Sequence, residues 1–300
     1  MKPLQRQHIV VLMGGCSSER EISLRSGQAV FTALQAQGLD VAALDLSVDT
    51  SLWATQIQAA KPDVVFIALH GTFGEDGCIQ GLLETMHIPY TGSDVLVSAL
   101  CMNKTLTKAV LQQAGVKTPT TLPLQDGLPV SFPVFVKPNA EGSSVGLHYA
   151  ADAAAWQALD LAADTPWLIE QCVVGMEVAV SVLNGKALPP VEVAPKSGVY
   201  DIASKYTSGA TDYFCPARLS EAQLSMCKVI AEKAIATLGC KGTPRVDLIV
   251  PVDGEPVLLE VNTIPGMTAT SLLPKSAAQV GMDFSALCVA ILQSALGEVR

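Results

Sequence analysis

The sequence predicts an α/β protein that opens with a doubly wound parallel sheet. Three short apolar runs, at residues 8–13, 41–46 and 63–69, have the length and composition of buried strands. Segments with helical periodicity separate these runs, and strands that alternate with helices form parallel sheets in α/β proteins. Much later in the chain, two further apolar runs flank the pair Asp253-Gly254, which predicts a β-hairpin.

The elements of this first unit follow one another as strand, helix, strand, helix, strand. Gly14-Gly15 ends the first strand and turns the chain into a helix that begins near Ser17 and runs to about Gln37. A second helix is expected at about residues 52–60. The alternation stops near residue 95, where we place the end of the unit.

Two polar residues of this unit are candidate site residues. Glu19 and His70 each lie just past a predicted strand, and ligands gather at the carboxyl ends of the strands in such sheets. Each also has a structural interpretation, because an acidic first-turn residue complements the helix dipole and a strand-end histidine can bond to backbone. Residues 69–77 combine three glycines with polar and acidic side chains, which favours a binding loop around His70.

A glycine- and serine-rich loop occupies the middle of the chain. A helix is predicted at about Asp94–Gln113, and the strand 134–138 leads through Lys137 into the loop 139–146. A loop of small residues lets backbone N–H groups approach phosphates, and the preceding lysine favours this function over that of a flexible hairpin loop. The chain contains neither G-x-x-x-x-G-K-[ST] nor G-x-G-x-x-G, which excludes a P-loop protein and disfavours a nicotinamide-dependent dehydrogenase.

The segment after this loop has the layout of a nucleotide-binding connector. A strand is predicted at residues 167–170, a short connector at 171–175 and a second strand at 176–182. Backbone at the connector and the carboxylate of Glu177 could hold a purine nucleoside, although the spacing alone is weak support.

Two further segments have clear local signals. The polar stretch 199–212 is long for a connector, which suits a lid over a site. An amphipathic helix is predicted over Ser220–Leu238, with Ser220 as the N-cap and Gly239 at its C-terminal end.

The predicted hairpin places four polar side chains on one face. If its turn is symmetric about the tip, Asp247 lies opposite Glu260 and Arg245 lies opposite Asn262, and a bulge near the turn would shift this pairing. Opposed carboxylates repel, and a divalent cation such as Mg²⁺ would resolve the conflict with hard oxygen ligands. The alternative is a solvated polar face, but the flanking apolar runs look buried and favour the metal site.

Composition limits the class of protein. A net charge of -9 argues against nucleic acid or an anionic membrane as the main partner. The eight cysteines are dispersed without a C-x-x-C pair, so we expect mostly buried free thiols in a reducing cytosol. The apolar run near the N-terminus is too short for a signal peptide or a membrane span. We therefore expect a soluble cytoplasmic protein of two or three domains.

The motifs, taken in order along nearly the whole chain, resemble those of the D-alanine–D-alanine ligases of the ATP-grasp superfamily. They are Gly14-Gly15-x-Ser-x-Glu19-Arg20-Glu21, His70-Gly71-x-x-Gly74-Glu75-Asp76-Gly77, Pro89-Tyr90-Thr91-Gly92-Ser93, Lys137-Pro138, Glu141-Gly142-Ser143-Ser144-Val145-Gly146, Lys205-Tyr206, Arg245-Val246-Asp247 and Glu260-Val261-Asn262-Thr263-x-Pro265-Gly266-Met267-Thr268. The resemblance implies three parts: an N-terminal doubly wound domain at 1–95, a central ATP-grasp lobe at 96–182 and a C-terminal lobe at 183–300. ATP would lie between the last two lobes.

The resemblance also implies a role for each matched residue. For ATP, the resemblance implies that Lys104 and Lys137 bind the phosphates, with Ser143 and Ser144 on a loop that closes over them. The adenine would be bound by the connector of Glu170, Gln171, Cys172 and Val173, and the ribose by the carboxylate of Glu177. Lys205 would be a further ATP-binding lysine. Two Mg²⁺ ions, for which Mn²⁺ could substitute, would be held by Asp247, Glu260 and Asn262.

For the amino-acid substrates, the resemblance implies two D-alanine sites. Glu19 would hold the ammonium group of the first D-alanine near His70, and the second would meet Lys205, Ser271 and Leu272. A further set of residues acts in catalysis: Glu19, Ser143 and Tyr206 as a hydrogen-bonded triad, Arg245 and the Gly266 N–H as oxyanion donors, and Ser271.

The implied reaction makes D-alanyl-D-alanine for peptidoglycan precursors through an acyl phosphate, with release of ADP and phosphate. The family also suggests a homodimer. Two rivals stay open: an ATP-grasp ligase for a different amino acid, and a nucleotide-binding regulator without turnover. The regulator would be free to lose Arg245, Asp247 or Glu260, and all three are present.

Overall fold

The protein is built from three main sheets and their covering helices. The computed structural model describes residues 3–142, 145–196, 210–268 and 270–297. Its strands are β1 (Ile9–Gly14), β2 (Val41–Leu46), β3 (Val64–Ile67), β4 (Leu124–Gln125), β5 (Leu128–Pro129), β6 (Val134–Pro138), β7 (His148–Ala150), β8 (Trp167–Gln171), β9 (Met176–Leu183), β10 (Lys186–Ala187), β11 (Val191–Pro195), β12 (Thr211–Phe214), β13 (Arg245–Val250) and β14 (Val257–Asn262). Its helices are α1 (Arg20–Ala36), α2 (Trp53–Ala60), α3 (Cys78–Thr85), α4 (Val95–Met102), α5 (Lys104–Gln113), α6 (Ala153–Gln157), α7 (Glu221–Leu238), α8 (Leu272–Ala278) and α9 (Phe284–Gly297).

The N-terminal sheet is parallel and doubly wound, which confirms the predicted fold class. Its strands pair in the order β2-β1-β3, with Ile9 of β1 opposite both Val41 and Val64. Alternate residues of β1 face opposite cores: Ile9 packs with α1 and α9, and Val10 packs with α2 and α3. Because helices cover both faces, β1 and β3 are buried along their whole length and are continuous apolar runs. Strand β2 contains Asp45 and is only partly buried.

Helix α9 returns to the start of the molecule. Its buried residues Leu287, Ile291 and Leu292 belong to the same core as Ile9 and Val30 of the N-terminal unit. No sequence pattern predicted this contact. The last helix therefore completes the first sheet, which otherwise would leave one face partly open.

The predicted helix at Asp94–Gln113 is wrong, because the chain breaks it into α4 and α5 at Asn103. That residue has an extended backbone (φ -89°, ψ 99°), and its Oδ1 accepts the N–H of Leu106 at 3.1 Å as the N-cap of α5. The same Oδ1 accepts from Asn139 Nδ2 at 2.9 Å, and the Lys104 N–H donates to the Asn139 carbonyl at 3.0 Å. The break thus attaches α5 to the start of the glycine-rich loop.

The remaining two main sheets are antiparallel and differ in size. The small sheet has the order β7-β6-β8, and the large sheet has the order β12-β11-β9-β13-β14 with β10 paired to β9. Helices α4, α5 and α7 pack on one face of the large sheet, where Leu111 and Ile235 join Val180 and Leu248 in one core. The predicted division at residue 182 falls at the end of β9, which lies within the large sheet.

Helix α7 has the predicted ends. Ser220 and Gln223 form a capping box, and Gly239 ends the helix in the left-handed region (φ 76°). We expect Ser220→Ala to lower the free energy of unfolding by about 1 kcal/mol, because the first turn loses an N–H acceptor. Urea unfolding would measure this, with Ser225→Ala on the exposed face of the same helix as the control. Equal effects of the two changes would contradict the capping role.

Two other expectations concern membranes and cysteines. Within the described ranges, no helix combines the length and apolar character that crossing a bilayer requires. All eight cysteines have free thiols, as predicted, but only three of them are buried, so the expectation that most would be buried is wrong. Burial raises the pKa of Cys227 to about 11 and that of Cys288 to about 12, so these thiols stay protonated at neutral pH.

Candidate active site

Two adjoining cavities share residues of the hairpin formed by β13 and β14. The first cavity, of about 650 Å³, lies between the N-terminal unit and the large sheet. The second, of about 600 Å³, lies between the small and large sheets. They share the lining residues Lys104, Glu141, Glu177, Val193, Asp247 and Glu260. The hairpin of β13 and β14 is therefore the wall at which the cavities meet.

The hairpin has the predicted pairing at its site end. Arg245 lies opposite Asn262 and Asp247 lies opposite Glu260, which confirms the four-residue face. Nearer the turn, the register shifts by one residue between Asp247 and Leu248, so the predicted symmetric turn is wrong there. A bulge next to the site corrects the offset that the loop introduces, and such bulges commonly re-aim side chains beside active sites.

Each of the two opposed carboxylates has a cationic side chain beside it. Arg245 donates from Nε and Nη2 to the two oxygens of Asp247, at 2.7 and 2.8 Å. The Lys104 ammonium lies 3.6 Å from Glu260 Oε2. Repulsion between the two acids therefore does not by itself require a metal, in contrast to the expectation from sequence.

The donor set still fits a hard divalent cation. Asp247, Glu260 and Asn262 offer carboxylate and amide oxygens at the junction of the cavities. Asn262 Oδ1 also accepts the N–H of Ile264 at 3.0 Å, which fixes its orientation. Across the part of the chain that the structure describes, no group of three or more His, Cys, Asp or Glu side chains forms a metal cluster. A site with the two carboxylates of Asp247 and Glu260 suits Mg²⁺, which is commonly held by one or two carboxylates together with substrate phosphates.

The second cavity contains the predicted nucleotide-binding residues. Lys137, Glu170, Gln171, Cys172, Val173 and Glu177 line it, together with Lys104. The connector passes close to the hairpin at Gly175, where a Cβ atom would lie 2.4 Å from the Val250 carbonyl oxygen. Glycine is thus required for the connector to pack here. Glu170 differs from the rest of the connector, because its carboxylate is buried and its Oε2 lies 2.9 Å from Lys137 Nζ.

The first cavity brings Glu19 and His70 together. The Glu19 carboxylate lies between two loops, since a Cβ on either Gly71 or Gly142 would be 3.0 Å from its Oε2. His70 is buried, and its Nδ1 lies 3.5 Å from Glu75 Oε1. Burial lowers the pKa of His70, but the hydrogen bond and charge of Glu75 outweigh it, with the charge of Glu19 adding to them, so the net shift of the pKa is upward.

The turn that leads into α8 also contributes to the first cavity. Arg245, Gly266, Ser271 and Leu272 are among its lining residues. Ser271 Oγ accepts the N–H of Thr268 at 3.0 Å, and the Ser271 N–H donates to the Thr268 carbonyl at 2.9 Å. These bonds keep the Gly266 backbone and the Ser271 hydroxyl close to each other.

Every predicted site residue that the structure describes lines one of the two cavities. Four predicted residues lie outside the described residues: Ser143, Ser144, Lys205 and Tyr206. Sequence reasoning missed two others. Glu75, the partner of His70, was read only as part of a polar loop, and Lys108 was not considered, although it follows Lys104 by one helical turn.

Comparison with known protein families gives a consistent result. The family model for the D-ala D-ala ligase C-terminus matches residues 96–293, and the model for the N-terminus matches residues 47–93. A D-alanine–D-alanine ligase from Anaeromyxobacter sp. (strain K) is 47% identical over 304 residues, covering 96% of this chain and 97% of the relative. A ligase of the same name from Syntrophotalea carbinolica is 45% identical, with 97% of each chain covered.

Solved structures agree with these relatives. The D-alanine–D-alanine ligase of Bacillus anthracis complexed with ATP has a TM-score of 0.80 at 31% identity, covering 96% of each chain. The VanG D-Ala:D-Ser ligase of Enterococcus faecalis has a TM-score of 0.79 at 28% identity, covering 96% of this chain and 98% of the other.

Proposed function

Because the chain belongs to the D-alanine–D-alanine ligase family, we propose that it joins two D-alanines to D-alanyl-D-alanine while it converts ATP to ADP and phosphate. The product would serve peptidoglycan precursor synthesis. One observation carries the proposal: the two cavities adjoin at residues that line both of them, among them Lys104, Asp247 and Glu260. A nucleotide in the second cavity would therefore present its terminal phosphate to an amino acid in the first.

The second cavity is the proposed ATP site. Lys104 and Lys137 line this cavity and would neutralise the phosphates, and Glu177, which also lines it, would bind the ribose hydroxyls. The connector from Glu170 to Val173 would hold the adenine. ATP would then lie between a central lobe at residues 96–182 and a C-terminal lobe at 183–300. The N-terminal domain would be formed by residues 1–95.

The proposed metal site is the hairpin face. Asp247, Glu260 and Asn262 would hold two Mg²⁺ ions, or Mn²⁺ in their place. Bound there, the ions would neutralise charge on the transferring phosphoryl group. The Arg245 guanidinium is close enough to Asp247 to orient its carboxylate, and binding would require that pair to loosen.

The first cavity is the proposed site of both D-alanines. Glu19 would bind the ammonium of the first D-alanine, beside His70. A carboxylate oxygen of this D-alanine would attack the γ-phosphorus of ATP as ADP leaves. The amine of the second D-alanine, held by Ser271, Leu272 and Lys205, would attack the carbonyl carbon of the acyl phosphate. Phosphate leaves, and the amine loses a proton.

Two features would protect and stabilise these steps. Arg245 and the Gly266 N–H would donate to the oxyanion of the tetrahedral intermediate. Ser143, Ser144 and Tyr206 would close over the site, with Glu19, Ser143 and Tyr206 hydrogen-bonded to one another, and exclude water from the acyl phosphate. A homodimer and a cytoplasmic location complete the proposal.

The direct test combines the protein with ATP, Mg²⁺ and D-alanine and measures D-alanyl-D-alanine by mass spectrometry and ADP by a coupled assay. We expect dipeptide and ADP in equal amounts. Replacing D-alanine by other D- and L-amino acids separates this function from a ligase for a different amino acid. ATP binding without ADP release under any of these conditions would support the regulator and overturn the proposal.

A further inference from the structure

A buried lysine lies behind the second cavity. The Lys108 side chain is only 3% exposed, and its ammonium contacts Oε1 of Glu170. The other oxygen of Glu170 lies 2.9 Å from Lys137 Nζ. Glu170 and Lys137 are among the described residues that line the second cavity, whereas Lys108 is not among those lining either cavity. Lys108 therefore reaches the site only through Glu170.

The Glu170 carboxylate depends on both lysines. It is 2% exposed, so water cannot replace a missing partner. A buried charge that loses its partner is strongly unfavourable, and the remaining groups rearrange to compensate. Burial lowers the pKa of Lys108 to about 6, with the charges of Lys137 and Lys104 adding to this shift and the charge of Glu260 opposing it.

The sheet places Lys137 beside this carboxylate. Phe135 of β6 lies opposite Glu170 of β8, and Lys137 is two residues further along the same face. Such diagonal neighbours are within reach of long side chains but are not held together by the backbone. The position of the Lys137 ammonium thus follows the position of Glu170 Oε2, which is fixed when Oε1 is held by Lys108.

Helix α5 carries two lysines on one face. Lys104 and Lys108 are four residues apart and therefore lie on the same side of the helix. Lys104 lines both cavities directly. Lys104 and Lys137 both line the second cavity and supply positive charge that suits a polyphosphate.

We infer that Lys108 is a positioning residue for nucleotide binding, which acts by holding Glu170 so that the Lys137 ammonium points into the nucleotide cavity. The inference rests on the proposed ATP site in the second cavity. It assigns no contact between Lys108 and ATP itself.

The test measures the Kd of Mg·ATP by isothermal titration calorimetry without D-alanine, so that it does not depend on turnover. We expect Lys108→Met to raise this Kd by about 10- to 100-fold, the scale typical of residues that support a site from behind. In steady-state assays, the KM for ATP should rise more than kcat falls. Thr107→Val is the matched control, because Thr107 is a buried α5 residue that bonds to Leu100 and Asn103 instead. It should lower the melting temperature but leave the Kd unchanged.

A double-mutant cycle identifies Glu170 as the intermediary. If Lys108 acts through Glu170, adding Lys108→Met to Glu170→Gln should change the Kd by less than about twofold. This comparison stands even if Lys108→Met alone does not fold, because the double variant removes both buried charges. A Kd for Lys108→Met equal to that of the wild type, or a further tenfold loss in the Glu170→Gln background, would overturn the inference. Wild-type protein that binds Mg·ATP but forms no dipeptide would instead refute the proposed function.

Discussion

Glu260→Gln is expected to lower kcat for D-alanyl-D-alanine formation by about 10³-fold, or about 4 kcal/mol, which is the scale of charge stabilisation by a catalytic metal. Glu260 lies on the wall shared by the two cavities, opposite Asp247. The change keeps the shape of the side chain but removes one anionic metal ligand. It also leaves Lys104 without the carboxylate that lies 3.6 Å from its ammonium.

The measurement is kcat as a function of Mg²⁺ concentration at saturating ATP and D-alanine. If Glu260 is a ligand, the variant should need more Mg²⁺ for half-maximal rate, and the rate should stay low at saturation. Glu255→Gln provides the control, because Glu255 is an exposed carboxylate in the loop of the same hairpin. Activity of Glu260→Gln similar to that of this control would exclude Glu260 as a metal ligand.

Leu292→Ala is expected to lower the free energy of unfolding by about 2–5 kcal/mol, the usual range for removing a buried leucine side chain. Leu292 is fully buried in α9, within the core that α9 forms with the N-terminal sheet. The change leaves a cavity between the last helix and the first sheet. The change should therefore destabilise the N-terminal unit, although Leu292 lies far from that unit in sequence.

Urea unfolding followed by circular dichroism would give the size of this effect. Gln293→Ala, on the exposed side of the same helix, controls for helix propensity. A loss no larger than that of Gln293→Ala would mean that α9 contributes little to the N-terminal core.

Local patterns predicted the parts of the fold that depend on neighbouring residues. The parallel strands, the capping box at Ser220 and the pairing of Asp247 with Glu260 all follow from short-range periodicity. The prediction of one helix at Asp94–Gln113 failed because Asn103 caps α5 and bonds to Asn139, and periodicity does not register such a contact.

The sequence predicted which residues form the candidate site better than it predicted which of those residues contact each other. The residue types and their order led to Glu19, His70, Lys104 and the hairpin face, all of which line the two cavities. Which charges neutralise one another was not predicted. The sequence argument placed a cation between two acids, whereas in the structure Arg245 pairs with Asp247 along the same strand.

The chain's local sequence was enough to define the strands of its first sheet, its hairpin face and the kinds of chemical groups at its site. Period-two and period-3.6 patterns involve residues that are adjacent in both sequence and space, so they can be read directly. Packing between distant segments fixed the rest: α9 on the first sheet, Glu75 beside His70, and Lys108 behind Glu170. These contacts depend on how whole elements fit together, and the burial that makes each charge need its partner exists only in the folded protein.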